Sequence, residues 1–324
     1  MAVKRREFIK MAAATSAATV LSPAVLRAAG KFPNGPVQLV VPFKPGGGSD
    51  RTFRLFAPYL AKTLGTSVNV VNISGGGGWV AWQQMARWSP TKDDHKLGTL
   101  NFPHVFSYLD PRMKRKETVD NFNFLAWQSL DPCVWAIRHD EKRFTDLPSF
   151  LDYVKKNPNK ITMSTTAVGS DDHMGIAFAE KFIDGFKVKK IYANGDSKKI
   201  QETISGVSDA VAGNVGYYAP YVADKKLKFI CTLNPDRYSL IPDVPTFKEV
   251  TGKGNVSFAG RTIVCAPGLE AEKKAIYLTA IEKALADPEY LAKEARNKNN
   301  ILFMTGDDIT KKIEATKEYV ESVR

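Results

Sequence analysis

Short apolar runs alternate with helical patterns along the chain, and this alternation restricts the fold more than any other feature. Residues 37–41, 68–71 and 96–100 have the length and composition of buried strands. Further strands are predicted at 161–164, 189–192, 210–212, 228–232 and 262–266. Helices are predicted between them at 53–64, 80–88, 147–156, 175–182 and 198–205. Strands that alternate with helices predict an α/β protein built on parallel sheets.

Two more helices are predicted near the end of the chain, at 270–286 and 308–323. In the last one, Ile309, Ile313 and Val320 belong to an apolar stripe that is typical of a helix lying on a core. The length of 324 residues exceeds one small core and suits one to two domains. The sequence shows no internal repeat and no low-complexity linker, so two sheets with the chain crossing between them account for this length.

The first 29 residues have the pattern of an export signal. Lys4, Arg5 and Arg6 precede an Ala- and Thr-rich apolar stretch at 11–21, and small residues follow. A charged segment, an apolar segment of about ten residues and a small-residue zone make up a secretory signal. The order Arg-Arg-x-Phe-Ile-Lys resembles a twin-arginine signal, which a receptor reads and which is not an anchor. No later segment reaches about eighteen apolar residues, so we expect a periplasmic protein without membrane insertion.

The composition is that of a globular protein and favours an anionic ligand over nucleic acid. Hydrophobic residues make up 44% of the chain and charged residues 25%. The net charge is +12, and a positive balance favours anionic partners. The lysines are scattered in short pairs such as 155–156 and 198–199 and form no single basic patch. We therefore expect solvated surface lysines and no nucleic-acid partner.

The three cysteines follow no metal-binding or redox spacing. They lie at positions 133, 231 and 265, and the sequence contains no Cys-x-x-Cys. Cys231 and Cys265 fall in apolar runs and are predicted to be small buried core residues. Three cysteines cannot all pair with one another, and one disulfide is compatible with an oxidising compartment.

A glycine-rich loop after the first predicted strand is the most informative segment for function. Gly46, Gly47 and Gly48 allow close approach of the backbone to a ligand because they have no Cβ. Ser49 or Asp50 is then predicted to cap a helix, whose first N–H groups are unpaired and carry the positive end of the helix dipole. In a parallel sheet this loop lies at the carboxyl end of a strand, where ligands bind. The segment predicts an anion site, although tight strand–helix turns also need glycine.

The residues around this loop resemble a known family of binding proteins. The order Val-Pro-Phe-x-Pro-Gly-Gly-Gly-Ser-Asp-Arg-x-x-Arg, at 41–54, is similar to the first loop of the periplasmic substrate-binding proteins of tripartite tricarboxylate transporters, the TctC or Bug family. Later segments continue the resemblance in order, at 70–78, 165–174, 192–195, 206–211 and 241–246. The loop at 165–174 is shorter than the family pattern. The resemblance spans nearly the whole mature chain.

This resemblance implies a two-lobed α/β clamshell, a type II-like periplasmic binding-protein fold with the ligand in the cleft between the lobes. Each lobe is expected to be a mostly parallel sheet flanked by helices. Residues 31–135 plus 260–324 are expected to form the first lobe, and 136–259 the second. Apolar crossings near 133–137 and 257–262 are the expected hinge strands.

The resemblance also implies which residues bind the ligand, mainly through backbone amides and hydroxyl groups. In the first lobe the expected contacts are Phe43, Lys44, Gly47, Gly48, Ser49, Asp50, Asn72, Gly77, Phe102 and His104. In the second lobe they are Thr165, Thr166, Ser170, His173, Gly195 and Asn214.

Some of these residues have a structural alternative. Lys44 either pairs with a second ligand charge or lies solvated on the rim of the cleft. His173 either contacts the ligand or stands at the start of a helix for structural reasons. Asn72 either contacts the ligand or fixes the loop that it begins.

Aromatic side chains near the glycine loops leave the kind of carboxylate open. Trp79 and Trp82 follow the second glycine loop, and Phe102 and His104 follow the third predicted strand. These rings either stack on an aromatic ligand or pack in the core. The ligand is therefore expected to be a di- or tricarboxylate or an aromatic carboxylate.

Catalytic and cofactor motifs do not occur in the sequence. No Gly-x-Ser-x-Gly follows a strand, and the glycines at 46–48 and 75–78 do not have Gly-x-Gly-x-x-Gly spacing. The four histidines, at 95, 104, 139 and 173, form no metal-binding pattern. We expect no catalytic residue, no metal and no cofactor.

The sequence thus predicts a periplasmic solute-binding protein, a monomer, that captures a small organic carboxylate. Its expected partners are this ligand and the membrane components of a tripartite tricarboxylate-type transporter. A solute sensor for a signalling protein and an exported α/β enzyme acting on an organic acid are the alternatives.

Replacement of both Arg5 and Arg6 by lysine tests the export signal. Lysine keeps the charge but lacks the planar guanidinium fork that distinguishes arginine. We expect the double variant to remain inside the cell as unprocessed precursor, detected by its slower migration on a denaturing gel. The control variant Lys4→Arg should be processed like the wild type. Normal processing of the double variant would exclude the twin-arginine route and leave general secretory export.

Overall fold

A computed structural model describes residues 32–193 and 195–324. The predicted export signal, residues 1–29, lies outside the described residues. The strands of the described chain are β1 (Val37–Val41), β2 (Val68–Asn72), β3 (Lys96–Phe102), β4 (Asn123–Arg138), β5 (Thr162–Thr165), β6 (Lys189–Tyr192), β7 (Ala210–Asn214), β8 (Leu227–Thr232), β9 (Phe258–Cys265) and β10 (Asn300–Met304). The helices are α1 (Gly48–Leu64), α2 (Trp79–Met85), α3 (Leu147–Lys156), α4 (Asp171–Phe182), α5 (Asp196–Ile204), α6 (Val215–Ala223), α7 (Phe247–Thr251), α8 (Ala271–Leu285), α9 (Pro288–Arg296) and α10 (Asp307–Val323). Short 3-10 helices lie at Gly76–Gly78, His104–Leu109, Pro111–Met113 and Val119–Asn121.

The strands form two lobes that share the long strand β4. In the first lobe the order is β2-β1-β3-β9-β4, with β10 also pairing with β4. In the second lobe β6, β5 and β7 lie side by side, and β4 pairs with both β7 and β8. In each lobe three neighbouring strands are parallel, and the strands that cross between the lobes are antiparallel to them. This arrangement is the predicted α/β clamshell, with mixed sheets.

The lobes are joined where β4 passes from one sheet to the other. Residues 123–132 of β4 pair with β9, and its last residues pair with β7 and β8. At the junction the N–H of Cys133 donates to the carbonyl of Ser257 (2.8 Å), and the N–H of Ser257 donates to that of Leu233 (2.8 Å). The N–H of Leu233 in turn donates to the carbonyl of Cys133 (2.7 Å). Three chain segments therefore meet at the crossing, where the sequence indicated two.

The helix α1 illustrates how local sequence builds the first lobe. Phe53, Phe56 and Leu60 recur at helical spacing and are fully buried. They belong to a hydrophobic core that α1 shares with β1 and α8. The helix ends at Gly65, whose φ of 69° closes the last turn.

The core of the second lobe is built around an indole ring on β4. Trp135 is fully buried and stacks on Phe186, with ring centroids 5.5 Å apart. Phe150 from α3 and Phe247 from α7 meet the same ring edge-on. Stacked-offset and edge-on arrangements are favourable because the face of an aromatic ring is electrically negative and its edge is positive.

The last helix, α10, bridges towards the second lobe. The ring of Tyr319 stacks on Phe178 of α4, with ring centroids 6.4 Å apart. The Nζ of Lys181, also on α4, donates to the carbonyl oxygens of Ser322 and Arg324 at 3.0 Å. The predicted division placed 260–324 with the first lobe. An apolar stripe identifies the buried face of a helix but not its partner, so the sequence did not indicate this contact.

The three cysteines are free and buried. Burial raises the pKa of the Cys265 thiol to about 11, and it also raises the pKa values of the other two. The predicted burial of Cys231 and Cys265 is confirmed, and the disulfide that the sequence allowed is not formed.

Gly260 of β9 provides a test of the packing between the crossing strands. A Cβ at this position would overlap Cζ2 of Trp127, which is fully buried and donates its Nε1–H to the carbonyl of Ser129. Because this ring cannot swing away, Gly260→Ala should lower the free energy of unfolding by about 1–3 kcal/mol. Denaturant unfolding measures the change. Gly254→Ala is the control, since a Cβ there would have no atom within 4 Å, and equal stability of the two variants would contradict this packing.

Candidate functional site

The glycine loop leads directly from β1 into α1 and opens one wall of the cleft. Gly46 has a φ of 78°, a conformation that favours glycine. Gly47 has an ordinary extended backbone (φ −75°, ψ 170°) and immediately precedes the helix. No side chain of the described residues caps this end of α1, so the cap predicted at Ser49 or Asp50 is wrong: Gly47 stands at the N-cap, and both residues lie inside the helix. The first N–H groups of this long helix therefore face the cleft without a side-chain acceptor. The positive end of the helix dipole lies here as well.

Residues of both lobes enclose a cavity of about 50 Å³ in front of this helix end. Its lining consists of Phe43, Lys44, Gly47, Gly48, Ser49, Asn101, His104, Thr166, Asp171, Gly195, Asp196, Asn214, Ala259 and Arg261. The cavity therefore combines a helix N-terminus with several buried polar and charged side chains.

Arg261 of β9 is the buried cation at the base of the cleft. It is only 2% exposed, and its Nη2 lies 3.5 Å from a carboxylate oxygen of Asp131. Its Nε and Nη1 have no hydrogen-bond partner among the described residues. A Cβ on Gly48 would lie 3.5 Å from the same Nη2. Because burying a guanidinium with one long ion pair is costly, this group is suited to a further anionic partner.

Asp131 balances only part of this charge. It is 2% exposed, and its Oδ1 accepts a hydrogen bond from the N–H of Gly216 (3.1 Å). Burial raises the pKa of Asp131 to about 6, against the lowering effect of Arg261. A small polar cavity of about 30 Å³ adjoins Asp131 and Arg261, and Glu294 and Asn299 also line it. Its volume is large enough for ordered water.

A second carboxylate, Asp171, begins α4 on the opposite lobe. Its Oδ2 accepts hydrogen bonds from Nδ2 of Asn214 (2.6 Å) and from the thiol of Cys133 (3.0 Å). Nε2 of His104, from the first lobe, lies 3.4 Å from its Oδ1. The Nδ1 of His104 has no partner among the described residues, and Phe43 meets this ring edge-on at 5.6 Å.

Lys199 positions a third carboxylate, Asp196. Its Nζ lies 2.6 Å from Oδ2 of Asp172 and 3.0 Å from Oδ1 of Asp196, and the lysine is 1% exposed. Burial opposes the lysine charge, but the two carboxylates outweigh it and raise the pKa of Lys199 well above its usual range. The other oxygen of Asp196 faces Gly48, where a Cβ would lie 3.2 Å away. The sequence predicted the pair at 198–199 to be solvated surface lysines, and for Lys199 this prediction is wrong, because two carboxylates compensate its charge inside the protein.

The two lobes touch at the mouth of the cleft through Tyr217 of α6. Its hydroxyl donates to the carbonyl of Gly46 (3.0 Å) and shares a hydrogen bond with Ser197 (2.6 Å). The guanidinium of Arg51 lies over the same ring at 4.7 Å. These contacts hold the glycine loop of the first lobe against the second lobe.

Part of the predicted set lines this cleft, and part does not. The predicted residues in the lining are Phe43, Lys44, Gly47, Gly48, Ser49, His104, Thr166, Gly195 and Asn214. Sequence analysis missed Asn101, Asp171, Asp196, Ala259 and Arg261. Arg261 had a signal that sequence analysis overlooked, because it is a lone charge inside the otherwise apolar strand β9.

Asp50 and Asn72 shape the loop and do not line the cleft. The carboxylate of Asp50 pairs with Arg54 at 2.6 Å and accepts a hydrogen bond from the N–H of Gly46 (2.9 Å). Nδ2 of Asn72 donates to Asp50 (2.9 Å) and to the carbonyl of Phe43 (2.9 Å). These hydrogen bonds correspond to the loop-fixing role, one of the two roles expected for Asn72.

The rings predicted to stack on an aromatic ligand are core residues, apart from His104. Phe102 is fully buried and stacks on Trp127 at 5.1 Å. Trp79 and Trp82 are also buried, and their Nε1–H groups donate to Ser107 Oγ (2.6 Å) and to a backbone carbonyl (3.0 Å). Side chains alternate between the two faces of a strand, and on a helix they recur every three to four residues on one face. The sequence alone did not show whether these rings lie on the face that packs in the core or on the face towards the cleft.

The remaining predicted residues also lie outside the lining. Thr165 is fully buried, and Ser170 caps α4 by accepting a hydrogen bond from the N–H of His173 (3.3 Å). Gly77 packs near Ala167 of the opposite lobe, where a Cβ on the glycine would lie 3.8 Å from that of the alanine. Nδ1 of His173 accepts a hydrogen bond from the N–H of Gly169 (3.3 Å), and its ring lines a different cavity.

Residues 52–322 match the model of a family described as the tripartite tricarboxylate transporter family receptor. The chain belongs to this family. It is 29% identical over 295 residues to the UPF0065 protein in the gbd 5' region of Cupriavidus necator, an alignment that covers 89% of this chain and 87% of that protein. The sequence resemblance is therefore confirmed.

Two solved structures from Rhodopseudomonas palustris have the same fold. MatC, solved with bound malate, has a TM-score of 0.78 at 21% identity, and the match covers 89% of this chain and 100% of MatC. A second protein, solved with adipate, has a TM-score of 0.81 at 19% identity, and the match covers 90% of this chain and 97% of that protein. The predicted clamshell fold is thereby confirmed.

Two structural features were sought in the described ranges, a group of metal-binding side chains and a helix that could span a membrane. Within 32–193 and 195–324, no three His, Cys, Asp or Glu side chains are grouped to hold a metal ion. None of the helices described is both long enough and apolar enough to cross a bilayer. Members of the tripartite tricarboxylate transporter receptor family are solute-binding proteins.

The raised pKa of Asp131 predicts a specific pH dependence of stability. Between about pH 4 and pH 6 the folded protein holds a proton on Asp131 that the unfolded chain has released, so stability falls as the pH rises through this window. Asp131→Asn, which resembles the protonated acid, should lack this part of the slope. The difference amounts to about 1.4 kcal/mol for each unit of pKa shift. Identical pH profiles of chemical unfolding for both proteins would contradict the assignment.

Proposed function

We propose that this protein is a periplasmic solute-binding protein that captures a small organic carboxylate and delivers it to the membrane components of a tripartite tricarboxylate transporter. Membership of the receptor family supports the solute-binding role. The malate and adipate in two proteins of the same fold support a carboxylate as the class of ligand. The observation that carries the proposal is the position of Arg261, a buried guanidinium at the cleft beside the N-terminus of α1.

In this proposal one carboxylate group of the ligand lies between α1 and Arg261. The first N–H groups of the helix, from Gly48 and Ser49, donate to it, and the guanidinium supplies a full positive charge. Each hydrogen bond to a charged group contributes about 1.5–3 kcal/mol. Lys44 stands exposed at the rim and pairs with a second carboxylate of the ligand, where it has one.

Two carboxylates in the lining favour a ligand that also carries a hydroxyl or amino group. Asp196 and Asp171 face the same cavity as Arg261. A ligand whose only polar groups are carboxylates brings negative charge close to both aspartates, which is unfavourable. A hydroxyl group on the ligand can instead donate a hydrogen bond to one of these aspartates. We therefore expect malate to bind more tightly than succinate, which differs by this hydroxyl group.

The lobe boundaries and the export route are part of the same proposal. Residues 31–135 plus 260–324 form the first lobe and 136–259 the second, with α10 leaning across the joint. The crossing at Cys133, Leu233 and Ser257 is the hinge about which the lobes close. The protein acts as a monomer after export by its twin-arginine signal.

Substitution of Arg261 tests the carboxylate site. Arg261→Gln combined with Asp131→Asn removes the buried pair together, so that neither charge is left alone. Loss of one charge-assisted interaction should weaken binding of the best ligand by about tenfold to a hundredfold. Gly48→Val should weaken it as well, because its side chain would meet Asp196 and Arg261. Isothermal titration calorimetry measures both effects on protein whose circular dichroism is unchanged.

The control Arg87→Gln removes an exposed arginine that also pairs with a carboxylate, Glu117. It should bind the ligand like the wild type. Ligands are first selected by thermal shift among malate, succinate, adipate, citrate and benzoate, since a saturating ligand raises the unfolding temperature. Wild-type affinity in the double variant would place the carboxylate elsewhere. Conversion of the ligand during incubation, followed by proton NMR, would instead support an enzyme.

A further inference from the structure

A second cavity lies between the lobes, apart from the cleft that contains Arg261. Its volume is about 550 Å³, within the range of about 300–1,000 Å³ that is typical of small-molecule sites. None of its lining residues also lines the carboxylate cleft. The loop between β5 and α4 separates the two: Thr166 lines the cleft, whereas Val168 and Gly169 line this cavity.

Three separate segments build its walls. The first lobe contributes Phe106 and Met113, the helix α4 contributes Met174 and Ala177, and α10 contributes Val320 and Val323. The wall is therefore mainly hydrocarbon, and displacement of water from it by an apolar ligand is favourable. The two methionines have flexible, polarisable side chains that adapt to ligands of different shape.

The polar groups of the cavity are concentrated in a few positions. Arg112 and Arg324 bring two guanidinium groups to the lining. Arg112 is exposed and pairs with Asp110 (2.6 Å), which also lines the cavity. The charge of Arg324 helps to lower the pKa of the same carboxyl, so the lining holds two guanidinium groups and one carboxylate. Burial lowers the pKa of His173, so this ring is a neutral hydrogen-bonding group. One anionic head group and an apolar body match this distribution.

We propose that this cavity is a second binding site, for a small amphipathic organic acid with one carboxylate and a hydrocarbon body. The acid lies with its body between α4 and α10 and its carboxylate towards Arg324. It contacts both lobes at once, since Gly169 of the second lobe packs against Ser107 of the first, where a Cβ would lie 3.1 Å from the serine Cβ. The carboxylate cleft has neither this volume nor this apolar wall, so the two sites select different acids.

Octanoate is the probe for this site, with octanol to test the anionic head. Wild-type protein should bind one octanoate by isothermal titration calorimetry, and Ala177→Phe, which fills the cavity from α4, should bind it at least about tenfold more weakly. Ala292→Phe, on the exposed face of α9, is the matched control and should bind octanoate normally. Gly48→Val, which obstructs the other cleft, should also retain octanoate binding.

Equal octanoate binding by Ala177→Phe and the wild type, or no binding by the wild type, overturns the proposal. Loss of octanoate binding in Gly48→Val places the acid in the carboxylate cleft and likewise overturns it. Octanol binding as tight as that of octanoate overturns the role of the anionic head. Because Ala177 lies outside the carboxylate cleft, Ala177→Phe should bind the cleft ligand normally, which separates this test from that of the proposed function.

Discussion

The pairing of β4 with β9 is the constraint on which both the fold and the cleft depend. These antiparallel strands carry the chain between the lobes, and they place Asp131 opposite Ala259, two residues from Arg261. The buried ion pair therefore lies on the structural joint and not on a surface loop. A ladder of backbone hydrogen bonds fixes both strands, and the burial of the Arg261 side chain restricts where its guanidinium can lie before any ligand arrives. A preorganised charge costs little ordering entropy when it binds.

The charges around the cleft are arranged as a partly balanced network. Lys199 is fully compensated by Asp172 and Asp196, and Asp171 is compensated by hydrogen-bond donors. Arg261 is different, since its one carboxylate partner is distant and has a raised pKa. Full pairing would stabilise the fold but leave no attraction for an anion. The incomplete pairing of Arg261 leaves part of its guanidinium available to an anion, next to the positive end of α1.

Features that depend on neighbouring residues could be predicted from the sequence, whereas features assembled from distant segments of the chain could not. The glycine loop and α1 follow from neighbouring residues, so their position at the cleft was foreseeable. The long strand β4 was seen only in part, because its 16 residues include Asp131 and Pro132 and break the simple apolar pattern. Arg261, Asp131 and Asp196 come together only through strand order and register. Phe102 shows the converse: a residue near the site in sequence can point into the core.

Tyr217 is the contact at which the two lobes meet beside the glycine loop. Its hydroxyl donates to the carbonyl of Gly46, two residues before Gly48, the first residue of α1. In this arrangement of the lobes the second lobe holds the glycine loop, and Asp196 lies next to Gly48. In the proposed function a ligand between α1 and Arg261 would lie inside these contacts, and a hydroxyl group donating to Asp196 would link the second lobe to the first. A ligand with differential affinity for the closed arrangement shifts the equilibrium towards it, and in the proposed function that difference would arise from hydrogen-bonding groups on both sides of the hinge.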